Sequence, residues 1–431
     1  MWKHCLGVCV VSMACGCGRA PAIEAPSART NQSVDAVGRE QPGEKPQKAD
    51  SSREANTTLA SVPTRLLSDK ELAEGWLQLF DGHTLFGWTA NSDAEWKVED
   101  GVILVESGTP GQLMTNVPFS DFEFFCEFRL SKGGNSGVFL RSAVKPTDPG
   151  RDCYELNICD SHPAFPTGSL VARKKGPGGI TVEGEWHAFR VTMSGTRITV
   201  DLDGRRVIDL DDKTKHALTS GRIGFQMNEG RAEFRNVRLR PVGTSDLFDG
   251  RSLDGWRVVP MGKSRFSVVD GTIHVEDGAG FLETKSTWGD FLLQAQARTN
   301  GKELNSGIFF RAERGTAEQP SNGYEVQIHN GTTAGNRLKP SNAGTGAIFR
   351  RNTARFVAAQ DHQWAYLSVA AVGARFCVWV NGLQVTDWVD TREENSNPRK
   401  GRRLKAGHIS LQGHDPTTDL DFRSIRILPL P

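Results

Sequence analysis

The sequence has 431 residues, which is too long for one ordinary domain and suits two domains of roughly 170–180 residues plus extra segments. Its 52 basic and 51 acidic residues leave a net charge of +1, and no long basic run interleaved with aromatic residues appears. We therefore expect no nucleic-acid partner. Abundant glycine and the scarcity of helix-period stripes favour an all-β chain.

The N-terminus has the layout of an export signal. Lys3 precedes an apolar stretch over residues 6–14, and residues 12–15 resemble a bacterial lipoprotein cleavage box with Cys15 as the residue to be lipidated; Cys17 is a second candidate. We predict a signal peptide over residues 1–17 and an exported, membrane-anchored lipoprotein facing the periplasm or the cell surface. A plain cleaved signal peptide is the alternative.

No later segment approaches the ~20 apolar residues that a membrane-spanning helix needs. The lipid anchor is therefore the one membrane contact that we expect. Residues 18–68 are rich in Ala, Pro, Ser, Gln, Glu and Lys and nearly empty of aromatic residues. Such a stretch cannot bury enough apolar surface to offset its ordering entropy, so we predict a disordered tether.

A two-strand signature then occurs twice. In the first copy, residues 135–141 read Asn-Ser-Gly-Val-Phe-Leu-Arg and residues 154–160 read Tyr-Glu-Leu-Asn-Ile-Cys-Asp. In the second copy, residues 305–311 read Asn-Ser-Gly-Ile-Phe-Phe-Arg and residues 324–330 read Tyr-Glu-Val-Gln-Ile-His-Asn. Both halves of the signature recur 170 residues later (135 to 305 and 154 to 324), which predicts two copies of one domain. We assign them to residues 69–243 and 244–431.

Turn dipeptides punctuate both copies at similar places. Asp100-Gly101 and Asp270-Gly271 each lead into a strand, and Asp203-Gly204 and Asn381-Gly382 each lie between alternating runs. Short strands with turns at about ten-residue spacing are typical of a two-sheet sandwich or jelly roll. One face of such a sheet packs in the core, and the other can form an open concave surface.

The period of two along a strand predicts which side chains share that open face. On the strand that contains Glu325, the residues Tyr324, Val326 and Ile328 should face the core. The cleft predicted for the second copy then holds Asn305, Phe309, Arg311, Glu325, Gln327, His329, Gln412 and His414.

This set of side chains suits a sugar. The ring of Phe309 can stack on a pyranose, while Arg, Gln and Glu give directional hydrogen bonds to hydroxyls. A Glu beside a His can also perform acid–base chemistry. The first copy keeps part of the set, namely Asn135, Phe139, Arg141 and Glu155, but it has Cys159 in place of His329 and Asn228 in place of His414. It ends its strand on Asp160, and His162 in the following loop is a candidate to replace the lost imidazole.

Five motifs in the same order resemble the 3-keto-disaccharide hydrolase domain family. That family is similar in fold to concanavalin A-like lectins and glucanases and is common in exported bacterial proteins. The resemblance covers the chain from about residue 76 to the end, twice. Besides the two signature strands, the motifs are the Thr-Gly turns at 167–168 and 345–346, the Gly-x-Ile-x-x-Gln segments at 221–226 and 407–412, and the final strands at 234–240 and 422–427.

The resemblance implies cleavage of glycosides that are already oxidised to a ketone at C3. The ketone acidifies the C2 proton, so a base can remove it and expel the C1 substituent, after which water adds to the enone. We assign His329 or Glu325 as the base and Arg311 to the enolate oxygen. His414 is assigned as the acid for the leaving oxygen or, together with His329, as a ligand of a divalent metal, which is the one cofactor we consider.

The remaining assignments follow the same resemblance. The second copy is expected to be the catalyst, with its hydroxyl-binding and stacking residues at Asn305, Phe309, Gln327 and Gln412. In the first copy, the catalytic counterparts are Glu155, Arg141 and Asp160, and the binding counterparts are Asn135, Phe139 and Asn157.

Two rival interpretations stay open at this point. Glu325 and Arg311 on neighbouring strands could form only a cross-strand ion pair. The whole chain could also be a non-catalytic carbohydrate-binding or adhesion lipoprotein, or one copy could bind while the other catalyses. A glycosidase with two carboxylates fits less well, because the Glu325 strand offers a single carboxylate.

Overall fold

The computed structural model of the protein describes residues 59–320 and 322–431. The predicted signal peptide, the lipidation site at Cys15 and the predicted tether as far as residue 58 lie outside the described residues. Within the described part, no helix is long and apolar enough to cross a membrane.

The end of the predicted tether is packed rather than disordered. Leu67 is buried in a small cluster with Leu72 and Trp76, and Leu59 and Val62 pack against the core of the second copy. The prediction of disorder is wrong for residues 59–68, because their apolar side chains gain enough burial to offset the cost of ordering.

A short helix and a sandwich of two sheets make up the first copy. The helix is capped by Ser68, whose hydroxyl accepts from the backbone N–H of Glu71 while the Glu71 side chain accepts from the backbone N–H of Ser68. The larger sheet has the order β11-β10-β9-β6-β13-β4-β3, with β1 on β13, and the smaller has the order β2-β5-β12-β7-β8. The elements are α1 Asp69–Glu74, β1 Leu77–Gln78, β2 Trp88–Ala90, β3 Lys97–Glu99, β4 Val102–Val105, β5 Gly111–Thr115, β6 Phe122–Leu130, β7 Ser136–Ser142, β8 Tyr154–Ile158, β9 His187–Ser194, β10 Arg197–Leu202, β11 Arg205–Asp211, β12 Arg222–Met227 and β13 Ala232–Pro241.

The second copy repeats this plan. Its larger sheet has the order β16-β17-β28-β19-β24-β25-β26, with β14 on β28, and its smaller sheet has the order β15-β18-β27-β20-β21. The prediction of an all-β chain with two tandem sandwiches is confirmed. The elements are β14 Ser245–Asp246, β15 Trp256–Val258, β16 Arg265–Val269, β17 Thr272–Glu276, β18 Gly280–Thr284, β19 Phe291–Thr299, β20 Ser306–Ala312, β21 Tyr324–Ile328, β22 Thr332–Thr333, β23 Asn336–Pro340, β24 Ala365–Val372, β25 Arg375–Val380, β26 Leu383–Val389, β27 His408–Gly413 and β28 Asp419–Pro429.

Each signature strand contains a β-bulge at its arginine. In β20 the pairing with β27 shifts register between Phe309 and Ala312, and Arg311 has a φ of 48°. Arg141 in β7 has a φ of 46°. A bulge inserts one residue into a strand and breaks the strict alternation of its side chains. The arginine therefore does not share a face with the phenylalanine two positions before it.

The two sandwiches share buried surface. Trp379 and Cys377 of the second copy belong to the hydrophobic core cluster of the first. The Trp379 indole N–H donates to the backbone carbonyl of Gln78 at 3.2 Å, and the Gln78 N–H donates to Gly382 at 2.8 Å. An ion pair of 3.0 Å joins Arg355 to Asp81. The first copy is thus held by the larger sheet of the second.

Candidate functional site

Glu325 lies on the open face of the smaller sheet of the second copy. It stands opposite Phe309 across β20 and β21, beside Gly307. A Cβ atom at Gly307 would lie 2.8 Å from Cγ of Glu325, so glycine in the Asn-Ser-Gly signature leaves the room that this carboxylate occupies. In the first copy the matching distance, from Gly137 to Cγ of Glu155, is 3.5 Å.

Burial and nearby cations act on Glu325 in opposite directions. The residue is 6% exposed, and its carboxylate lies 3.5 Å from the guanidinium of Arg399. Desolvation raises the pKa of Glu325 to about 7, against the lowering effect of Arg399, His414 and Arg350. This carboxyl group therefore changes its protonation state close to neutral pH, which suits a group that must both take up and release a proton.

An aromatic floor lies under this carboxylate, but its surface is covered. Phe309 is 1% exposed, packs edge to face on Phe281 with ring centroids 5.2 Å apart, and contacts Val259. The Arg399 guanidinium lies 5.3 Å from the centre of the Phe309 ring. The predicted stacking of Phe309 on a sugar does not fit this arrangement, because Arg399 occupies the space above it.

A chain of amides links the site to His414. The Gln327 amide N–H₂ donates to the carbonyl of Asn342 at 3.2 Å and to Oδ1 of Asn305 at 3.1 Å. Nδ2 of Asn305 therefore faces Nε2 of His414, 3.0 Å away, and donates to it. Nδ1 of His414 lies 2.8 Å from Asp415. When His414 is neutral, this network makes its Nε2 an acceptor, so the proton that its predicted role as the acid needs is not held at that nitrogen.

Three amide oxygens on the strands of the smaller sheets have no protein hydrogen-bond partner. Oε1 of Gln327 and Oε1 of Gln412 are buried with no hydrogen-bond partner, and so is Oε1 of Gln226 in the first copy. A buried carbonyl oxygen without a donor is costly, and a sugar hydroxyl is a donor of the right kind. These three side chains fit a role in binding hydroxyls.

Arg311 does not belong to the cleft. The structure places its side chain on the opposite side of the bulge, fully buried, with donors to the carbonyls of Gly289 and Arg403 at 3.2 and 3.1 Å and to the Asp290 carboxylate at 2.6 Å. Arg141 repeats this arrangement in the first copy, 2.7 Å from Asp121. The predicted positions of both arginines on the open face are wrong, because the bulge reverses the alternation.

His329 reaches the open face but is covered by the following loop. Its Nε2 lies 3.1 Å from Oγ of Ser341, and a Cβ atom at Gly331 would lie 2.6 Å from the same nitrogen. Its Nδ1 is buried without a partner. Among the described residues, no group of three or more His, Cys, Asp or Glu side chains is arranged to hold a metal ion, so His329 and His414 are not part of such a cluster.

The first copy has a similar but weaker site. Glu155 is buried on the open face, where desolvation raises its pKa, and it accepts from Gln226 at 3.0 Å rather than from an arginine. Phe139 packs with Met114 and Cys153, and Asn157 donates to the carbonyl of Phe165.

Two other side chains of the first copy lie away from the positions predicted for them. Asp160 accepts from Thr167 at 2.6 Å and from the Val182 N–H at 2.7 Å, so the structure does not bring it to the cleft. His162 accepts the backbone N–H of Phe165 at 2.9 Å through Nδ1 and forms part of a turn. Asn135 precedes β7 and exchanges backbone hydrogen bonds with Glu229.

Sequence reasoning missed the two arginines beside Glu325. Leu170 and Ile348 make equivalent β-bridges in the two copies. Ala172 and Arg350 each lie two residues after these positions, so Ala172 of the first copy corresponds to Arg350 of the second. Arg399 belongs to residues 391–406, a segment of 16 residues that corresponds to the 8 residues 213–220 in the first copy. This difference in length, filled with basic residues, was a signal available in the sequence.

Open-faced β-sandwiches with a titratable cleft of this kind are typical of carbohydrate-active proteins. Residues 75–240 and residues 243–428 both match the family model of the 3-keto-alpha-glucoside-1,2-lyase-like domain. Together the two matches cover most of the chain, so the chain belongs to this family, as the sequence motifs predicted.

Individual relatives are more distant. The chain is 35% identical over 97 residues to a 3-keto-disaccharide hydrolase of Bacteroides thetaiotaomicron, a match that covers 19% of this chain and 33% of that protein. The chain thus spans about a third of the length of this curated relative. A solved structure from Parabacteroides distasonis, provisionally described as a glycosyl hydrolase, is 20% identical with a TM-score of 0.37 and covers 41% of this chain and 99% of its own. A carbohydrate-binding module from Bacillus subtilis is 21% identical with a TM-score of 0.29 and covers 36% and 95%.

Proposed function

We propose that the chain hydrolyses 3-keto-glycosides and that the second copy is the catalyst. The observation that carries the proposal is Glu325, a buried carboxylate on the open face whose pKa is raised to about 7 and which faces Arg399. His329 is the weaker candidate for the base, because Ser341 and the following loop cover its ring.

The proposed reaction needs no redox partner. Glu325 removes the proton at C2 of the 3-keto sugar, and the charge that develops on the C3 oxygen is stabilised by Arg399. The C1–O bond then breaks, the leaving oxygen takes the proton from the Glu325 carboxyl group, and a C1=C2 enone remains. Water adds at C1 while a proton returns to C2, so the net change is hydrolysis.

Arg399 must move for this reaction to begin. The cavity beside Glu325, lined by Tyr324, Phe349 and Arg351 among others, has a volume of about 60 Å³. That volume holds a few water molecules and no sugar ring. We propose that residues 391–406 withdraw Arg399 to admit the substrate and return it over the C3 oxygen.

We propose a binding role for the first copy. It keeps the glutamate and the amides of the cleft, but Ala172 stands where the second copy has Arg350, and residues 213–220 are too short to supply a counterpart of Arg399. Without a cation over the carboxylate, an enolate would lack its stabilising charge. Export and anchoring through Cys15 remain proposals from the sequence.

The test is the release of a chromogenic leaving group from a 3-keto-glucoside by the full chain. We expect Glu325→Gln to lower kcat about 10²- to 10⁴-fold, the usual contribution of a positioned base. The matched variant Glu155→Gln, which changes the equivalent carboxylate of the first copy, should retain activity within about twofold.

Two outcomes would contradict the proposal. Equal losses in the two variants would remove the assignment of catalysis to the second copy. Saturable binding of sugars without any turnover by the full chain would leave a carbohydrate-binding protein in place of an enzyme.

A further inference from the structure

A second cavity lies at the junction between the two sandwiches, next to the open face of the first copy. Its volume is about 510 Å³. Met114, which packs on Phe139 of that face, lines it, so the cavity and the cleft of the first copy are neighbours. The other residues that define its chemistry are Asn91, Asp93, Asn116, Lys145, Arg222 and Arg375.

The same place is closed in the second copy. There, Arg257 pairs with Glu283 at 3.0 Å and donates to the carbonyl of Gly315 at 2.8 Å, while the Gly315 N–H donates to Glu283 at 2.9 Å. The strand pairing shows the correspondence, since Thr89 stands opposite Met114 as Arg257 stands opposite Glu283. Thr89 and Met114 thus stand in the first copy where the second copy has the Arg257–Glu283 ion pair, and the cavity lies beside them.

Arg222 brings a positive charge to this cavity and lies within reach of the charge of Asp387 without forming an ion pair with it. It donates to the carbonyl of Thr115, and within the described residues no carboxylate lies within salt-bridge distance of its guanidinium. Arg222 is partly buried, as is Arg355, and Arg141 is fully buried; Arg141 and Arg355 each pair with an aspartate. A buried charge is costly unless it is paired, so an unpaired guanidinium beside a cavity favours an anionic ligand.

The neighbouring charges do not cancel this excess. Arg375 lies close enough for its charge to lower the pKa of Arg222, after the larger effect of burial. Asp387 accepts from Arg375 at 2.9 Å and also from Asn116, so its charge is already shared. Lys145 and Asp93 are both exposed at the rim of the cavity and offset one another.

We infer that the junction cavity binds an anionic group of a glycan, a carboxylate or a sulfate, with Arg222 as its principal partner and Lys145 at the entrance. This inference rests on the proposed carbohydrate function and names the charge of the ligand. A planar guanidinium forms two parallel hydrogen bonds with either kind of oxyanion, and Asn91 and Asn116 lie beside it as further polar groups.

The experiment compares three oligosaccharides by titration calorimetry with the full chain. One contains a uronic acid, one is its carboxyl-reduced form, and one is a sulfated derivative of the reduced form. We expect at least one charged form to bind roughly tenfold more tightly than the neutral form, as a charge-assisted pair requires, and the preference to fall as salt is raised. The form that is preferred identifies the source of the charge.

Three variants make the result specific. Arg222→Gln should abolish the preference, and Lys145→Gln, which changes an exposed side chain, should reduce it without a risk to folding. His408→Gln alters the residue that replaces Arg222 in the second copy and should leave the preference intact. Equal binding of charged and neutral forms, or a preference that survives Arg222→Gln, would overturn the inference.

Turnover of a neutral 3-keto-glucoside is measured on the same variants. It separates the two proposals, because normal turnover by a native chain that shows no charge preference contradicts only the junction site. A charge preference without turnover contradicts only the proposed reaction.

Discussion

At the scale of single residues, the pKa of Glu325 could not be predicted from the sequence, because it depends on both burial and nearby positive charges. The alternation of residues 324–328 correctly placed this carboxylate on the open face with Gln327. Its pKa depends on how completely the face is covered and on Arg399 and Arg350, which arrive from distant segments. Burial has the larger effect, so the carboxyl group keeps its proton up to about neutral pH.

The pH dependence of the reaction follows from this balance. If Glu325 acts as the base, only its ionised form is active, so kcat/KM should rise with pH and level off above an apparent pKa of about 7. The measurement is a profile of kcat/KM from pH 5 to 9 on a neutral 3-keto-glucoside. The profile of Glu155→Gln should be the same. If kcat/KM instead levels off above the ordinary pKa of a glutamate, about 4.5, Glu325 would be exposed to water during the reaction and its raised pKa would not govern the rate.

The same pKa has a consequence for stability. The folded pKa of about 7 lies above the ordinary value of 4.5, so folding is least favourable once Glu325 is ionised. The free energy of unfolding therefore falls as pH rises from about 4.5 to 7, where the folded protein holds this proton and the unfolded chain does not, and it stays lower above pH 7. Glu325→Gln should therefore be more stable than the native protein at pH 8, by about 1–3 kcal/mol, and nearly equal to it at pH 4.5. Urea unfolding at the two pH values measures the difference, and a variant that is less stable at pH 8 would contradict the sign.

At the scale of elements, the sequence predicted most of what alternation can predict. It placed Asn305, Gln327 and Gln412 on one face because unbroken strands obey a period of two. It failed at Arg311, where a bulge in β20 turns the side chain away from the face. It could not find Arg399, because an irregular segment has no period from which to predict a direction.

The buried arginine of each signature strand is expected to stabilise the fold and not the transition state. Arg311 joins the Asp290 carboxylate to the carbonyls of Gly289 and Arg403, so Arg311→Gln should lower the free energy of unfolding by about 3–5 kcal/mol. The exposed Arg265, paired with Glu276, is the control, and Arg265→Gln should leave the stability nearly unchanged because solvent screens this pair. Chemical denaturation measures both.

Activity separates this role from the catalytic role that the sequence predicted. Measured at a temperature where Arg311→Gln is folded, kcat per folded molecule should stay within about fivefold of the native value, far from the loss of about 10²-fold or more that removing a transition-state donor causes. A loss of that size in fully folded protein would restore Arg311 to the reaction.

At the scale of the whole molecule, the two copies differ on the outer face of the larger sheet. In the second copy, Leu292, Ala370, Cys377 and Trp379 are buried in the core cluster of the first. The first copy has an aspartate, Asp201, at the position of Trp379, since β10 and β25 correspond, and this aspartate pairs with Arg206 near solvent. The sequence pattern of each copy predicts a sandwich. Only the structure shows that the outer face of the larger sheet of the second copy is covered by the first copy, because the alternation of residues along a strand does not identify what packs on that face.

This shared surface should make the two copies unfold together. Trp379→Ala removes the largest side chain at the junction and its hydrogen bond to Gln78, so it should lower the free energy of unfolding by about 3–5 kcal/mol. Because that side chain lies in the core of the other copy, calorimetry should show one transition that moves as a whole to lower temperature. Asp201→Ala, at the equivalent position of the first copy, should change stability by less than about 1 kcal/mol. Two separate transitions, with the first copy unmoved by Trp379→Ala, would mean that the sandwiches are independent and that the junction cavity is not a fixed part of the molecule.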